Sequence, residues 1–384
     1  MAPGFHEDAN IFADRGIPCC FGRFRMSKTT HRLFCTAAIL TALAAAPAFA
    51  ADHSAGKSVE AGESSRSLGG IEFRNRNAKA GSGIQADRSV SRSAATDPAA
   101  LEKAFSMIGR SRDGKEIRLA PGENVLKAIK GEAGAGDRRG ALDPATTVEP
   151  EEGAERSIVG GDNRVRVTNT KSYPYSTIGY LEMTNAKGEV WSCSAALVGP
   201  KTILTAGHCL YNHDEEGGWR DGFTFWPAIN GENDVPYGGF EYDTAYVFEG
   251  FVTNYDGSYD AVWPYDIGLI TLQEPIGDSL GWLGYWNYAD LGDFKGNLVG
   301  YHGDKTAFTM WRSACTILAE GITDYDFAHD CDFEWGADGA PIYLYDQEAK
   351  ARVVVGVNVG TDGDSNWALR LYQPVFEWIQ SINQ

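Results

Sequence analysis

Between Leu197 and Cys209 two apolar runs, Leu197-Val198 and Thr202-Ile203-Leu204-Thr205-Ala206, are separated by Gly199-Pro200, a pair that favours a tight turn. Short apolar runs on either side of such a turn predict paired strands, the second of which delivers Gly207-His208-Cys209 at its end. Cys193 lies on the preceding strand, and a disulfide from it to Cys209 would pin the backbone of the histidine. A rigid sheet that holds one imidazole at a strand terminus is a strong restriction on the fold. The alternative is a core histidine beside a structural disulfide.

The other cysteines bear on the compartment. Cys19, Cys20 and Cys35 precede Ala48-Phe49-Ala50, a small-x-small cleavage site that follows an apolar stretch from Leu33 to Ala46 and the basic residues Lys28 and Arg32. Met26 to Ala50 therefore reads as a secretory signal peptide, and residues 1–25 as an upstream extension ahead of the true start at Met26. Four cysteines remain, and neighbouring spacing favours Cys193–Cys209 and Cys315–Cys331, in keeping with an oxidising, extracellular or periplasmic compartment. No Cys-x-x-Cys pair supports a zinc site, and no metal or cofactor is expected. The net charge of −18 argues against nucleic acid or an anionic membrane surface as partner.

Residues 51–156 are rich in Gly, Ala, Ser, Arg and Glu, with Phe73 and Phe105 as the only aromatics, whereas all ten Trp residues lie at or after Trp191. Such a segment buries little apolar surface and predicts a largely disordered propeptide or linker. Two helices are expected within it. One has Asp97 as N-cap and Pro98 in the first turn, and the other runs from about Gly122 to Lys130. From Tyr175 onward, aromatic and β-branched runs alternate with Gly, Asn, Asp and Pro: 176–183, 189–198, 222–227, 242–247, 267–272, 297–301, 340–345 and 352–359. That spacing predicts an all-β sandwich or barrel, closed by an apolar-faced helix over 374–380.

Leu-Thr-Ala-Gly-His-Cys at 204–209 resembles the histidine signature of trypsin/chymotrypsin-like serine proteases, in the form found in bacterial glutamyl endopeptidases. Ile158-Val159-Gly160-Gly161, followed by Asp162-Asn163-Arg164-Val165-Arg166-Val167-Thr168-Asn169-Thr170, resembles the mature start of those enzymes, which implies cleavage at or close to Arg156. The resemblance covers about 157–384. It implies two six-stranded antiparallel β-barrels with the site in the cleft between them, a monomer, and a protein or peptide as substrate or ligand.

A Ser-His-Asp protease needs a base, a carboxylate that orients it, a nucleophile and backbone N–H groups facing the oxyanion. His208 matches the base. Asp266, in Tyr265-Asp266-Ile267-Gly268-Leu269-Ile270-Thr271-Leu272, matches the carboxylate, with Asp260 as second choice. The nucleophile frame Gly-x-Ser-Gly-x-Pro is matched only by Gly336-Ala337-Asp338-Gly339-Ala340-Pro341, so Asp338 stands at the serine position, with the N–H groups of Gly336 and Asp338 as the oxyanion donors. Ser313 and Ser365 lack that frame.

A carboxylate attacking a peptide carbonyl would form a mixed anhydride, and its charge would repel a developing oxyanion. An ion pair between Asp338 and His208 is expected instead, raising the imidazole pKa. The family's activating salt bridge needs an aspartate where Ala337 stands, and the glutamate-binding histidine is replaced by Asn358 in Val355-Gly356-Val357-Asn358-Val359-Gly360. Peptide hydrolysis is therefore the activity of the family, and inactivity is the expectation for this chain. The rivals are a pseudoprotease that binds without turnover and a metal site built from His208, Asp266 and Asp338.

Overall fold

The alternation of apolar and turn residues after Tyr175 produces strands, and the chain arranges them into two large sheets that share one main core, with smaller clusters beside it. The computed structural model describes residues 70–73, 78–80, 84–85, 97–133, 138–140, 161–214, 218–362 and 365–383, all within one unit, Ser58–Gln384. The proposed upstream extension, the signal peptide and the cleavage site around Arg156 and Ile158 lie outside the described residues.

In chain order the leader contributes β1 (Lys79–Ala80), β2 (Ile84–Gln85), α1 (Pro98–Ala104), β3 (Met107–Ser111), β4 (Glu116–Leu119), α2 (Glu123–Ile129) and β5 (Arg138–Arg139). The first half of the remainder contains β6 (Val165–Arg166), β7 (Ile178–Thr184), β8 (Val190–Leu197), β9 (Thr202–Ala206), β10 (Tyr211–Asn212), β11 (Gly218–Trp219), β12 (Gly222–Pro227), β13 (Phe240–Phe248), α3 (Glu249–Thr253) and β14 (Ile267–Leu272). The second half holds α4 (Gly277–Leu280), β15 (Gly284–Asn287), β16 (Phe294–Tyr301), β17 (Met310–Ile317), β18 (Asp326–His329), β19 (Pro341–Asp346), β20 (Ala351–Thr361), β21 (Asn366–Arg370) and α5 (Gln373–Ile382).

The first six-stranded antiparallel set, β12-β7-β8-β9-β14-β13, closes on itself through the β12–β13 pairing. Closure removes open edges, and each strand turns its apolar face inward, so Leu181, Ala195, Leu204, Phe225 and Leu269 are fully buried. The second set runs β18-β21-β20-β19-β16-β17. Cys315 on β17 is bonded to Cys331, just beyond β18, which ties the ends of that order together. The Cys193–Cys209 disulfide also forms, and each bridge spans a sequence separation of 16, a loop whose closure contributes about 3 kcal/mol. An all-β, two-lobed architecture with a C-terminal helix is what the strand pattern and the resemblance implied.

The leader departs from expectation. Both helices form, and Asp97 caps α1 by accepting from the Ala100 N–H at 2.9 Å. Far from being disordered, however, residues 97–133 pack onto the barrel. β3 lies antiparallel along β13, continuing the edge that β12 leaves uncovered, and pairs with β4 to form a hairpin. Phe105 is buried among Phe248, Tyr265 and Tyr372, and its carbonyl accepts from Trp378 Nε1 at 2.7 Å. α2 packs on α5. Few apolar residues sufficed because the barrel supplied the other half of the core.

Candidate active site

The antiparallel register of β9 with β14, Ala206 opposite Ile267, places the residue after one strand beside the residue before the other. His208 sits in a single 3₁₀ turn, Gly207–Cys209, and Asp266 immediately precedes β14. Asp266 is fully buried and grips the histidine twice: Oδ1 accepts from the His208 backbone N–H at 2.7 Å, and Oδ2 faces Nδ1 at 2.8 Å. A Cβ on Gly207 would stand 3.0 Å from Asp266 Oδ1, so the carboxylate packs tightly against this turn. Asp260 is engaged elsewhere, with the Ser258 hydroxyl donating to it at 3.1 Å.

Burial by itself would lower the imidazole pKa. The Asp266 charge and hydrogen bond outweigh that effect, Asp338 adds to them, and the net direction is upward.

The third position comes from the second lobe. Gly336 and Gly339 both have positive φ, 96° and 79°, which a non-glycine residue adopts only with strain. The loop between them is held from two sides. The Asp338 carbonyl accepts from Ser194 N on β8 at 2.8 Å, and the Asn358 carbonyl on β20 accepts from Gly339 N at 2.8 Å. Asn358 Nδ2 also donates to the Ala337 carbonyl at 3.2 Å. A Cβ on Gly339 would lie 2.1 Å from Thr205 Oγ1 and 2.4 Å from the Ser194 carbonyl. Gly339→Ala should therefore cost on the order of 3 kcal/mol from clash and strain together, measured as a lower midpoint in chemical denaturation.

The Asp338 side chain is fully buried. Burial raises its carboxyl to about 7, against the opposing pull of the His208 imidazole and the Gly336 N–H. The expected ion pair with His208 does not form. Among the described residues no contact within 4 Å joins the two, and His208 Nε2 and Asp338 Oδ1 are both buried without a hydrogen-bond partner. Oδ2 instead accepts from Gly336 N at 3.3 Å, because the turn directs that N–H back at the side chain two residues on.

Ser313 is committed to Asn163 Oδ1 and to the Asp332 N–H, and Ser365 closes the turn between β20 and β21. His329, which the sequence did not single out, is buried against Asn358. Burial pushes its pKa down to about 4, against the opposing pull of the Asn358 side chain and of the Trp367 and Cys331 backbone. Its only sequence signal is a polar residue at the end of a short strand. Among the described residues two groups of side chains lie close enough to share an ion, Cys193-His208-Cys209 and Cys315-His329-Cys331. Each is built on a disulfide, whose sulfurs are not thiolate ligands. Asp266 has both oxygens on His208, which disfavours a shared ion with Asp338.

A family model described as Trypsin matches residues 164–295, a span that holds His208 and Asp266 and ends before Asp338. A glutamyl endopeptidase of Bacillus licheniformis is 33% identical over 189 residues, 49% of this chain and 55% of that protein. An extracellular metalloprotease of Bacillus subtilis is 30% identical over 228 residues, 58% of this chain and 69% of that protein. The chain belongs to the trypsin-like serine protease family. The solved structure of a Glu endopeptidase in complex with MPD superposes with a TM-score of 0.50 at 24% identity, covering 59% of this chain and 99% of that one, and supports the two-lobed trypsin-like fold. The match spans about half the length of the Bacillus licheniformis relative. No helix among the described residues is long and apolar enough to cross a membrane.

Proposed function

We propose that this chain is a secreted, glutamyl-endopeptidase-like member of the trypsin-like family that binds peptides in the cleft beside His208, Asp266 and Asp338 and does not hydrolyse them. The observation that carries this is the Asp338 carboxylate on the Gly336 N–H. By the family frame, Gly336 N and Asp338 N are the donors that would meet an oxyanion, and a resident carboxylate already takes up one of them. His208 and Asp266 keep the geometry of a base and its orienting acid, so the base has no hydroxyl from which to take a proton.

Ala337 leaves a new N-terminal amine without the family's acidic partner. Asn358 gives its amide N–H to the loop, so it offers no positive charge to a substrate carboxylate. The proposed secretion rests on the signal-like Met26–Ala50 and the two disulfides.

Treatment of the full chain with a serine-directed phosphonate, read by intact mass, tests the proposal. No adduct is expected, and a stoichiometric adduct on the unmodified protein would overturn it.

A further inference from the structure

Two short leader strands touch the sheet edges on either side of Asp338. β1 pairs in parallel with β8 at Trp191 and Ser192, on the edge from which Ser194 N reaches the Asp338 carbonyl. β2 pairs in parallel with β20 at Gly360 and Thr361, just past Asn358, which binds Gly339 and Ala340. β19 covers β20 only as far as Val357, so β2 takes the edge where β19 stops. Ala80 and Ile84 are separated by so few residues that the two contacts stand no more than roughly 14 Å apart along the chain.

The fit is close at both ends. A Cβ on Gly303 would be 2.7 Å from Ala80 Cβ, and one on Gly336 would be 3.6 Å from it. A Cβ on Gly360 would be 2.0 Å from the Ile84 carbonyl oxygen, so this approach requires glycine. Ile84 is buried in the main core. Both ends of the segment are tethered: Ile71 bridges Gly239, Phe73 packs edge-on against Trp226 and Phe308, and the barrel-bound α1–β3 unit follows.

We propose that Lys79-Ala80 and Ile84-Gln85 are a built-in occupant of the peptide groove: the uncleaved chain pairs its own leader with the two sheet edges that an extended ligand would need. This rests on the reading of the cleft as a peptide groove. Two-residue ladders are weak alone and hold because the tethers keep their local concentration high, on the order of millimolar. An incoming peptide competes with the leader for the same backbone groups.

The test compares hydrogen exchange in the full chain with that in Ile84→Asp and, as a second variant away from the core, Ala80→Asp. Segments around Trp191–Ser192 and Gly360–Thr361 should exchange at least about tenfold faster in both variants while α1 and β3 stay protected. Unchanged exchange in both would overturn the proposal whatever the cleft binds. With Asp338→Ser added, each change should also raise kcat/KM on a fluorogenic peptide about tenfold, through KM. Faster exchange in both variants with no binding of the same peptide by either, read by fluorescence anisotropy, would keep the leader pairing and overturn the peptide-groove reading. Turnover that ignores both changes would overturn competition by the leader.

Discussion

Asp338→Ser should switch on peptide hydrolysis, raising turnover of a fluorogenic substrate by at least about 10³-fold. Loss of a triad nucleophile costs about 10⁶ in kcat, and a residual 10³–10⁴ over water survives from binding and oxyanion donors alone. The lower figure allows for an imperfect fit and for the leader. The frame needed by a serine is intact. Gly336 and Gly339 hold their positive φ values, Ser194 N fixes the carbonyl of residue 338, and Asn358 braces the loop. A hydroxymethyl group is too short to take up the Gly336 N–H, which is then released to meet an oxyanion. His208 Nε2, now without a partner, would accept the hydroxyl proton while Asp266 holds the other side of the ring. Burst kinetics and a stoichiometric phosphonate adduct are the expected signatures. A folded Asp338→Ser chain that neither labels nor turns over would show that more than the hydroxyl is missing.

Asp338→Asn should stabilise the fold by about 4 kcal/mol at pH 8 and by almost nothing at pH 4. The carboxyl titrates at about 7 in the folded chain against 3.8 in an exposed one, so between those values the folded state holds a proton that the unfolded state has released. Stability of the native sequence therefore falls as pH rises through that window, and the difference between 3.8 and about 7 corresponds to about 4 kcal/mol. An amide of the same shape carries no such penalty, so the two denaturation curves coincide in acid and separate toward neutral pH. Losing the Asp338 charge also removes one of the contributions that raise the His208 pKa, so the imidazole should titrate lower, visible in its ring-proton shifts. Parallel pH dependences for the two proteins would mean that the carboxyl is not desolvated as its burial implies.

The sequence disclosed features whose signals are local. The 222–227 and 267–272 strands match the structure end to end because turn residues bound them tightly. His208 and Asp266 were recognisable because each sits at a strand terminus, and the β9–β14 register then brings them together. Asp97 announced α1 because an N-cap is a contact between near neighbours. The packing of residues 97–133 was hidden, since Phe105 finds Phe248, Tyr372 and Trp378 only after the barrel has formed. β1 and β2 were equally hidden, because two residues carry no periodicity. The expected His208–Asp338 ion pair failed for a geometric reason: an N–H two residues away competes with an imidazole delivered by the other lobe.

The lodging of Phe105 beneath Trp378 joins polypeptide from near the beginning of the fold to its last helix. A processed form stripped of residues 97–133 would bare the outer rim of β13 and leave an aromatic-lined hollow next to it. Unsatisfied backbone groups alongside greasy surface make a seam on which a neighbouring molecule can zip, so trimming this protein too far should make it self-adhering.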